Sequence, residues 1–307
     1  MIGVFGSGIL SQHFQQLYVG DVNEVVIFSR SRPENLRLGF MPMWERFSLS
    51  DVPSVETLIS IIKRYKISSA VIFAGISNPN TIDSNLGEAC KVNLIGTLRL
   101  IDALHGAGVF FVFVSSVEVF NSPGPNLESD SAAPKNYYGL LKSAVEGYVL
   151  ELNSPAAIVR TTWNIPVIEM PSESGSGRCP ITLIYGDLIN GRSCWADDYV
   201  TNPVLAVDTA RVVAKVIERR ETGVFHSAGD VVYSRFELAE LICSGMRSRQ
   251  VQPRKCKFRD LPPGLTSRRS QSSILSTAKT RKTLNFQFSN ILPKVIDIVC
   301  RLEKQLS

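Results

Sequence analysis

Met1-Ile2-Gly3-Val4-Phe5-Gly6-Ser7-Gly8-Ile9-Leu10-Ser11 is the stretch that decides the fold. Met1 to Phe5 is a short apolar run with the length of a buried strand. It ends in Gly6-Ser7-Gly8, and a helical pattern then continues through Tyr18. Strand, glycine turn and helix, in that order, present the unpaired N–H groups of a helix N-terminus to a pyrophosphate. The spacing is Gly-x-Gly-x-x-Ser, with Ser11 where the fingerprint has a third glycine. Gly6, Gly8, Ile9 and Leu10 are therefore candidate cofactor contacts.

Working outward, Glu24 to Phe28 reads as a second strand, followed by Ser29-Arg30-Ser31-Arg32. An acidic residue at this strand end would bind a ribose 2′-hydroxyl, whereas Ser29 and Arg30 suit a 2′-phosphate and favour NADP over NAD. A solvated basic loop is the competing reading. Phe47 to Leu49 reads as a short strand, and Asp51 as the cap of a helix from Val52 to Tyr65. Ser69 to Ala74 is another strand, followed by Gly75. Leu86 to His105 is a long helix carrying Asn93, and Val109 to Val114 is the most apolar strand. Ala156 to Arg160 is a further one. Apolar strands alternating with helices argue an α/β fold, a parallel sheet covered on both faces. Ligands of such sheets bind at the carboxyl ends of the strands. Ser29, Arg30, Asp51, Val52, Ala74, Gly75, Ser116 and Trp163 all fall at or just past such ends.

A second stretch carries chemistry: Asn136-Tyr137-Tyr138-Gly139-Leu140-Leu141-Lys142, running into a helical pattern through Tyr148. Tyr138 and Lys142 are four apart and share a helix face. An ammonium beside a phenol favours the phenolate, so a tyrosine with an ordinary pKa of ~10 is expected to titrate nearer neutrality. The bland alternative is a solvated lysine beside a half-buried tyrosine.

Composition narrows the class. The net charge of +5 comes from scattered Lys and Arg, which suits a small anionic ligand better than a nucleic acid. Six cysteines without paired spacing are expected to be reduced and mostly buried. With three histidines in the chain, no metal site is expected. No apolar run reaches membrane length and no leader pattern precedes the first strand, which reads as a cytoplasmic protein.

Past residue 165 the character changes. Pro171-Ser172-Glu173-Ser174-Gly175-Ser176-Gly177 reads as a flexible polar loop lying over the site. Ile181 to Ile189, Val207 to Arg219, Ser234 to Cys243 and Ile291 to Lys304 read as helices, and Gly223 to His226 as a strand. Ser267 to Ser273 is a basic polar loop. Residues 1–165 are the expected dinucleotide-binding domain. Residues 166–307 are a smaller substrate-binding region, with segments returning to the sheet.

These features resemble the extended short-chain dehydrogenase/reductases, and within them the dTDP-4-dehydrorhamnose reductase-like sugar-nucleotide enzymes. Ser116 precedes Tyr138 by 22 residues (138 − 116), which suits the family's Ser–Tyr–Lys triad. Val92-Asn93-Leu94-Ile95-Gly96-Thr97 is similar to its Asn-containing helix, and Arg160-Thr161-Thr162-Trp163 to its Arg-Thr-Ser-Trp run. Asn202-Pro203 through Asp208, Gly223 through Gly229, and Ser234 through Ala239 are similar to later segments. The resemblance implies a Rossmann-type doubly wound sheet and hydride reduction of a nucleotide-linked 4-keto sugar, with NADP as cofactor and NAD as the alternative. Ser116, Tyr138 and Lys142 would be catalytic, with Lys142 also on the nicotinamide ribose. Ser116, Glu118, Tyr138, Trp163 and Asn164 would meet substrate. Asn93 is placed among the cofactor contacts, although holding backbone is its more natural task. The partners implied are a nucleotide sugar and, at most, a second copy of the chain, with no nucleic acid or membrane.

Two features depart from the family. The glycine loop is one residue shorter than Gly-x-x-Gly-x-x-Gly and ends in Ser11. Val117 stands before Glu118, where 4,6-dehydratases carry an acid. An epimerase or dehydratase that retains NAD is one alternative, and a non-catalytic cofactor-binding regulatory subunit is the other.

Overall fold

The computed structural model describes residues 1–18, 24–32, 43–152, 154–167, 179–247, 252–266 and 268–306. Seven strands form the main sheet: β1 (Ile2–Phe5), β2 (Val25–Ser29), β3 (Met43–Arg46), β4 (Ser69–Ile72), β5 (Phe110–Ser116), β6 (Ala156–Thr161) and β7 (Gly223–Ser227). Their spatial order is β7-β6-β5-β4-β1-β2-β3 and every pairing is parallel. The chain runs outward in one direction from β1 and then in the other from β4. That reversal leaves a crevice at the carboxyl ends of β1 and β4.

The apolar strands are continuous because both faces are covered. In β5 the pleat sends alternate residues to opposite faces. Phe111 and Phe113 meet Leu100 and Leu104 of helix α3 (Thr97–Gly106) and Val145 and Val149 of α4 (Tyr137–Glu151). Phe110, Val112 and Val114 meet Val212, Val213 and Val216 of α5 (Ala206–Arg219). Each such side chain, fully buried, contributes about 1.5–3 kcal/mol. Helix α1 (Ile9–Gln16) adds Phe14 to the second face.

Several boundaries differ from expectation. The strand expected at Phe47 to Leu49 lies earlier, at Met43–Arg46, and Ser48 to Asp51 turn away with Asp51 N donating to Ser48 O at 3.2 Å. Asp51 is exposed and caps nothing; α2 (Val55–Arg64) begins later, and Ser54 Oγ accepts from Thr57 N at 3.3 Å. Pro53 just ahead of that cap explains the delay, because it lacks an N–H and its ring disfavours a helical residue before it. The long helix expected from Leu86 contains a π-helical segment, Lys91–Gly96, before α3.

The later segments divide between two places. β7 and α5 belong to the main sheet, whereas Pro180–Ile189, α6 (Arg235–Gly245) and α7 (Leu292–Leu306) enclose a separate cluster that includes Ile181, Leu188, Leu238, Ile242, Val295 and Val299. Ser234 caps α6 with a reciprocal pair: its Oγ accepts from Glu237 N at 3.1 Å and its N donates to Glu237 at 2.7 Å. The polar loop expected at 171–177 lies outside the described residues, as does Ser267; Ser272–Ser273 form a short strand. The cysteine expectation is corrected at one pair. Cys194 and Cys256 form a disulfide with Cα atoms 5.9 Å apart. Their strands, Cys194–Ala196 and Arg254–Cys256, are paired, and 62 residues of separation hide that from the sequence. Among the described residues no helix is long and apolar enough to cross a membrane, and no group of three or more His, Cys, Asp or Glu could hold a metal ion.

Candidate active site

The site is set where α4 begins against the end of β5. Asn136 caps α4, its Oδ1 accepting from Gly139 N at 2.8 Å, while its Nδ2 donates to Glu118 Oε2 at 2.6 Å. One side chain thus ties the helix start to the turn after β5. Gly139 makes the approach feasible: a Cβ there would collide with the Glu118 backbone carbonyl. This close packing sets the Tyr138 phenol beside the Ser116 hydroxyl, which pulls the phenol's pKa down. Ser116 Oγ also accepts from Glu118 N at 3.2 Å. Ser115, the neighbouring hydroxyl on β5, is buried with no hydrogen-bond partner among the described residues.

The electrostatics correct one expectation. Burial raises the Tyr138 phenol above its ordinary value, the Glu118 carboxylate raises it further, and only the Ser116 hydroxyl opposes them. Lys142 directs its ammonium elsewhere: Nζ donates to Val114 O at 2.8 Å and lies 4.5 Å from the Phe113 ring centre but 5.9 Å from that of Tyr138. Burial lowers the Lys142 pKa to about 8, against the opposing pull of Glu146. The phenol therefore holds its proton firmly, as suits a proton donor rather than a resting phenolate.

The glycine turn lies at the reversal point of the sheet. Gly6 has φ +119°, and a Cβ there would stand 2.9 Å from Ala74 N, so the turn and the end of β4 are in direct backbone contact. Ser11, in place of the third glycine, is fully buried and donates to Gly6 O at 2.6 Å, closing the turn with its hydroxyl. Gly8 differs: a Cβ added there meets nothing within 4 Å, and no side chain caps α1. Ile9 and Leu10 form the first turn of α1. Open space beside free N–H groups is what a pyrophosphate requires. The residues present fit a nicotinamide dinucleotide.

Other expected contacts separate. Ser29 is buried, and its hydroxyl accepts from Trp44 Nε1 at 3.0 Å and donates to Ser31 O at 2.7 Å. Arg30 is the exposed group at that strand end. Gly75 is exposed beside Ala74, whereas Asn93 Oδ1 accepts from Ile76 N at 2.7 Å and its Nδ2 donates to Ile76 O at 2.8 Å, so both amide ends hold backbone. Asp51 and Val52 sit beyond the turn after β3. Asn164 is tied into the chain by Thr161, Thr162 and Thr209, the last donating at 2.7 Å. One face of Trp163 is covered by the Arg235 guanidinium, 3.0 Å from the ring centre. Arg235 and Asn136 were not among the expected site residues. Asn136 had a signal, an amide three residues before Gly139 at a helix start; Arg235 had none.

The sheet order and the glycine turn at its reversal define a Rossmann-type α/β protein. The model of the RmlD substrate binding domain matches residues 6–303, and the chain belongs to that family. It is 27% identical over 205 residues to methionine adenosyltransferase 2 subunit beta of Xenopus tropicalis, a match covering 64% of this chain and 59% of that protein. This chain thus spans about three fifths of that relative. It is 25% identical over 252 residues to a dTDP-4-dehydrorhamnose reductase of Sinorhizobium fredii, covering 78% of this chain and 82% of the other. The fold matches the structure of dTDP-4-dehydrorhamnose reductase from Bacillus anthracis in complex with NADP, with a TM-score of 0.73, 18% identity, and coverage of 100% and 99%.

Proposed function

We propose that the protein is an NADP-dependent sugar-nucleotide reductase acting on a nucleotide-linked 4-keto sugar, with residues 1–165 holding the dinucleotide and most of 166–307 the substrate. The observation that carries this reading is the Ser116–Tyr138 contact beside buried Lys142, at the carboxyl end of β5. The cofactor, when bound, supplies hydride to the carbonyl carbon. Tyr138, kept protonated by burial and by Glu118, gives its proton to the oxygen as negative charge develops there. Ser116, held by Glu118 N beside the phenol, turns its hydroxyl to the carbonyl oxygen and positions it. The turn Gly6 to Gly8, with the N-terminus of α1, holds pyrophosphate, and Arg30 meets a 2′-phosphate. Lys142, anchored to β5, reaches the ribose.

The family membership, the likeness to a curated reductase and the NADP held by the structural neighbour support this reading. The likeness to an adenosyltransferase subunit supports a second one, a cofactor-binding regulatory subunit without turnover. Following NADPH absorbance with a panel of 4-keto sugar nucleotides decides between them. Turnover with a panel member upholds the reductase. Cofactor binding with no turnover on any member shifts the reading to the subunit.

A further inference from the structure

Arg235, the first residue of α6, is 7% exposed. Its guanidinium lies 3.0 Å from the ring centre of Trp163 and 4.3 Å from that of Tyr199. Both contacts are cation–π in character, and the Tyr199 hydroxyl also favours the charged guanidinium. Nη1 is buried and has no partner among the described residues, and no carboxylate among them lies within ion-pair distance of the group. Burying an unpaired cation is costly, and native folds supply a partner. Glu118, an acid whose field reaches it, is hydrogen-bonded to Asn136. Arg269 adds a second positive field of opposite effect. Nη1 is therefore a buried, charged donor awaiting an acceptor.

Its position indicates which acceptor. Trp163 lies two residues past Thr161, which pairs with Ser116 across β5 and β6, so the guanidinium over its ring sits at the strand ends that carry Ser116. The arginine also covers a face of Trp163 that a neutral sugar ring would otherwise stack on. We infer that Arg235 is a specificity-determining residue that receives an oxyanion carried by the sugar itself, making the preferred substrate a uronate-type nucleotide sugar. The inference rests on the sugar-nucleotide reading above.

The test is calorimetric titration of UDP, UDP-glucose and UDP-glucuronate into the wild-type protein, Arg235→Gln and Arg235→Lys. The wild type is expected to bind UDP-glucuronate about ten- to a hundredfold tighter than UDP-glucose, the range of one charge-assisted hydrogen bond. Arg235→Gln should bring that ratio to about one while leaving UDP affinity unchanged. Should the glutamine variant fail to fold, Arg235→Lys carries the test, since it keeps the charge but loses the fork and should lose much of the discrimination. A ratio near one in the wild type overturns the inference while leaving UDP-glucose binding, and the reading beneath it, intact. Equal weakening of UDP and both sugars in the variant places the arginine on the diphosphate and overturns it too. Absence of UDP and UDP-glucose binding to the wild type defeats the sugar-nucleotide reading and the inference together.

Discussion

The Lys142 ammonium is hydrogen-bonded to the Val114 backbone carbonyl at 2.8 Å, two residues before Ser116 on the same strand. The bond reaches from the second turn of α4 down to β5. With Asn136 joining the helix start to Glu118, it clamps the helix at two levels against the strand that carries Ser116. The closeness of Ser116 and Tyr138 follows from that clamp.

Tyr138→Phe removes the proposed proton donor and keeps the ring. Its turnover is expected to fall about 10²–10⁴-fold, with NADPH affinity and melting temperature near wild type. Steady-state kinetics with cofactor titration checks this; normal turnover removes Tyr138 from the mechanism.

Lys142 gives the fold a pH signature. Its folded pKa is about 8 against an ordinary 10.5, so between those values the folded state binds fewer protons than the unfolded one. Stability therefore rises with pH across that window and is flat on either side of it. The difference of about 2.5 (10.5 − 8) corresponds to about 3 kcal/mol. Lys142→Met lacks this rise. Urea unfolding at pH 7 and pH 10 should show the wild type gaining on the variant at the higher pH. Parallel pH dependences would mean that Lys142 is solvated.

How far the sequence could be read depended on the range of the interactions. β2 and β5 were plain, because strands buried on both faces are unbroken apolar runs. The Tyr138 helix was plain because its cap, glycine and lysine are local. Ser54, not Asp51, starts α2 because of Pro53, a local cue of the wrong strength. The direction of the Tyr138 shift was beyond reach: helical spacing placed Lys142 on the right face, but its ammonium turns to a strand 28 residues earlier. Arg235 was illegible for the same reason, since Trp163 and Tyr199 bury it and both come from elsewhere in the chain. Cys194 and Cys256 are brought together only by the strand pairing of the finished fold.

Arg30 is the exposed cation at the end of β2, where Ser29 is occupied by Trp44 and Ser31. Arg30→Ala should weaken NADPH while leaving NADH little changed, with a preference reduced about tenfold, the scale of one charge-assisted contact. Titrating both cofactors into both proteins reads the ratio. An unaltered preference would make Arg30 a surface charge only.

Gly6 and Gly8 provide the sharpest test of where a dinucleotide sits, because the chain needs them for different reasons. Gly6 has positive φ and its missing side chain faces Ala74 backbone, so Gly6→Ala is expected to destabilise the fold with or without a ligand. Gly8 has φ −73°, which alanine adopts without strain, and an added Cβ meets no atom of the protein. Nothing in the free chain penalises Gly8→Ala, and its melting temperature should match the wild type. If the N-terminus of α1 cradles pyrophosphate, that methyl enters the space the phosphates occupy, and NADPH affinity should fall tenfold or more. The rise in melting temperature on adding NADPH should shrink with it, since a ligand stabilises only as far as it binds the folded state. Unchanged affinity in a fully folded Gly8→Ala protein would place the cofactor elsewhere, or show that the shortened turn holds none.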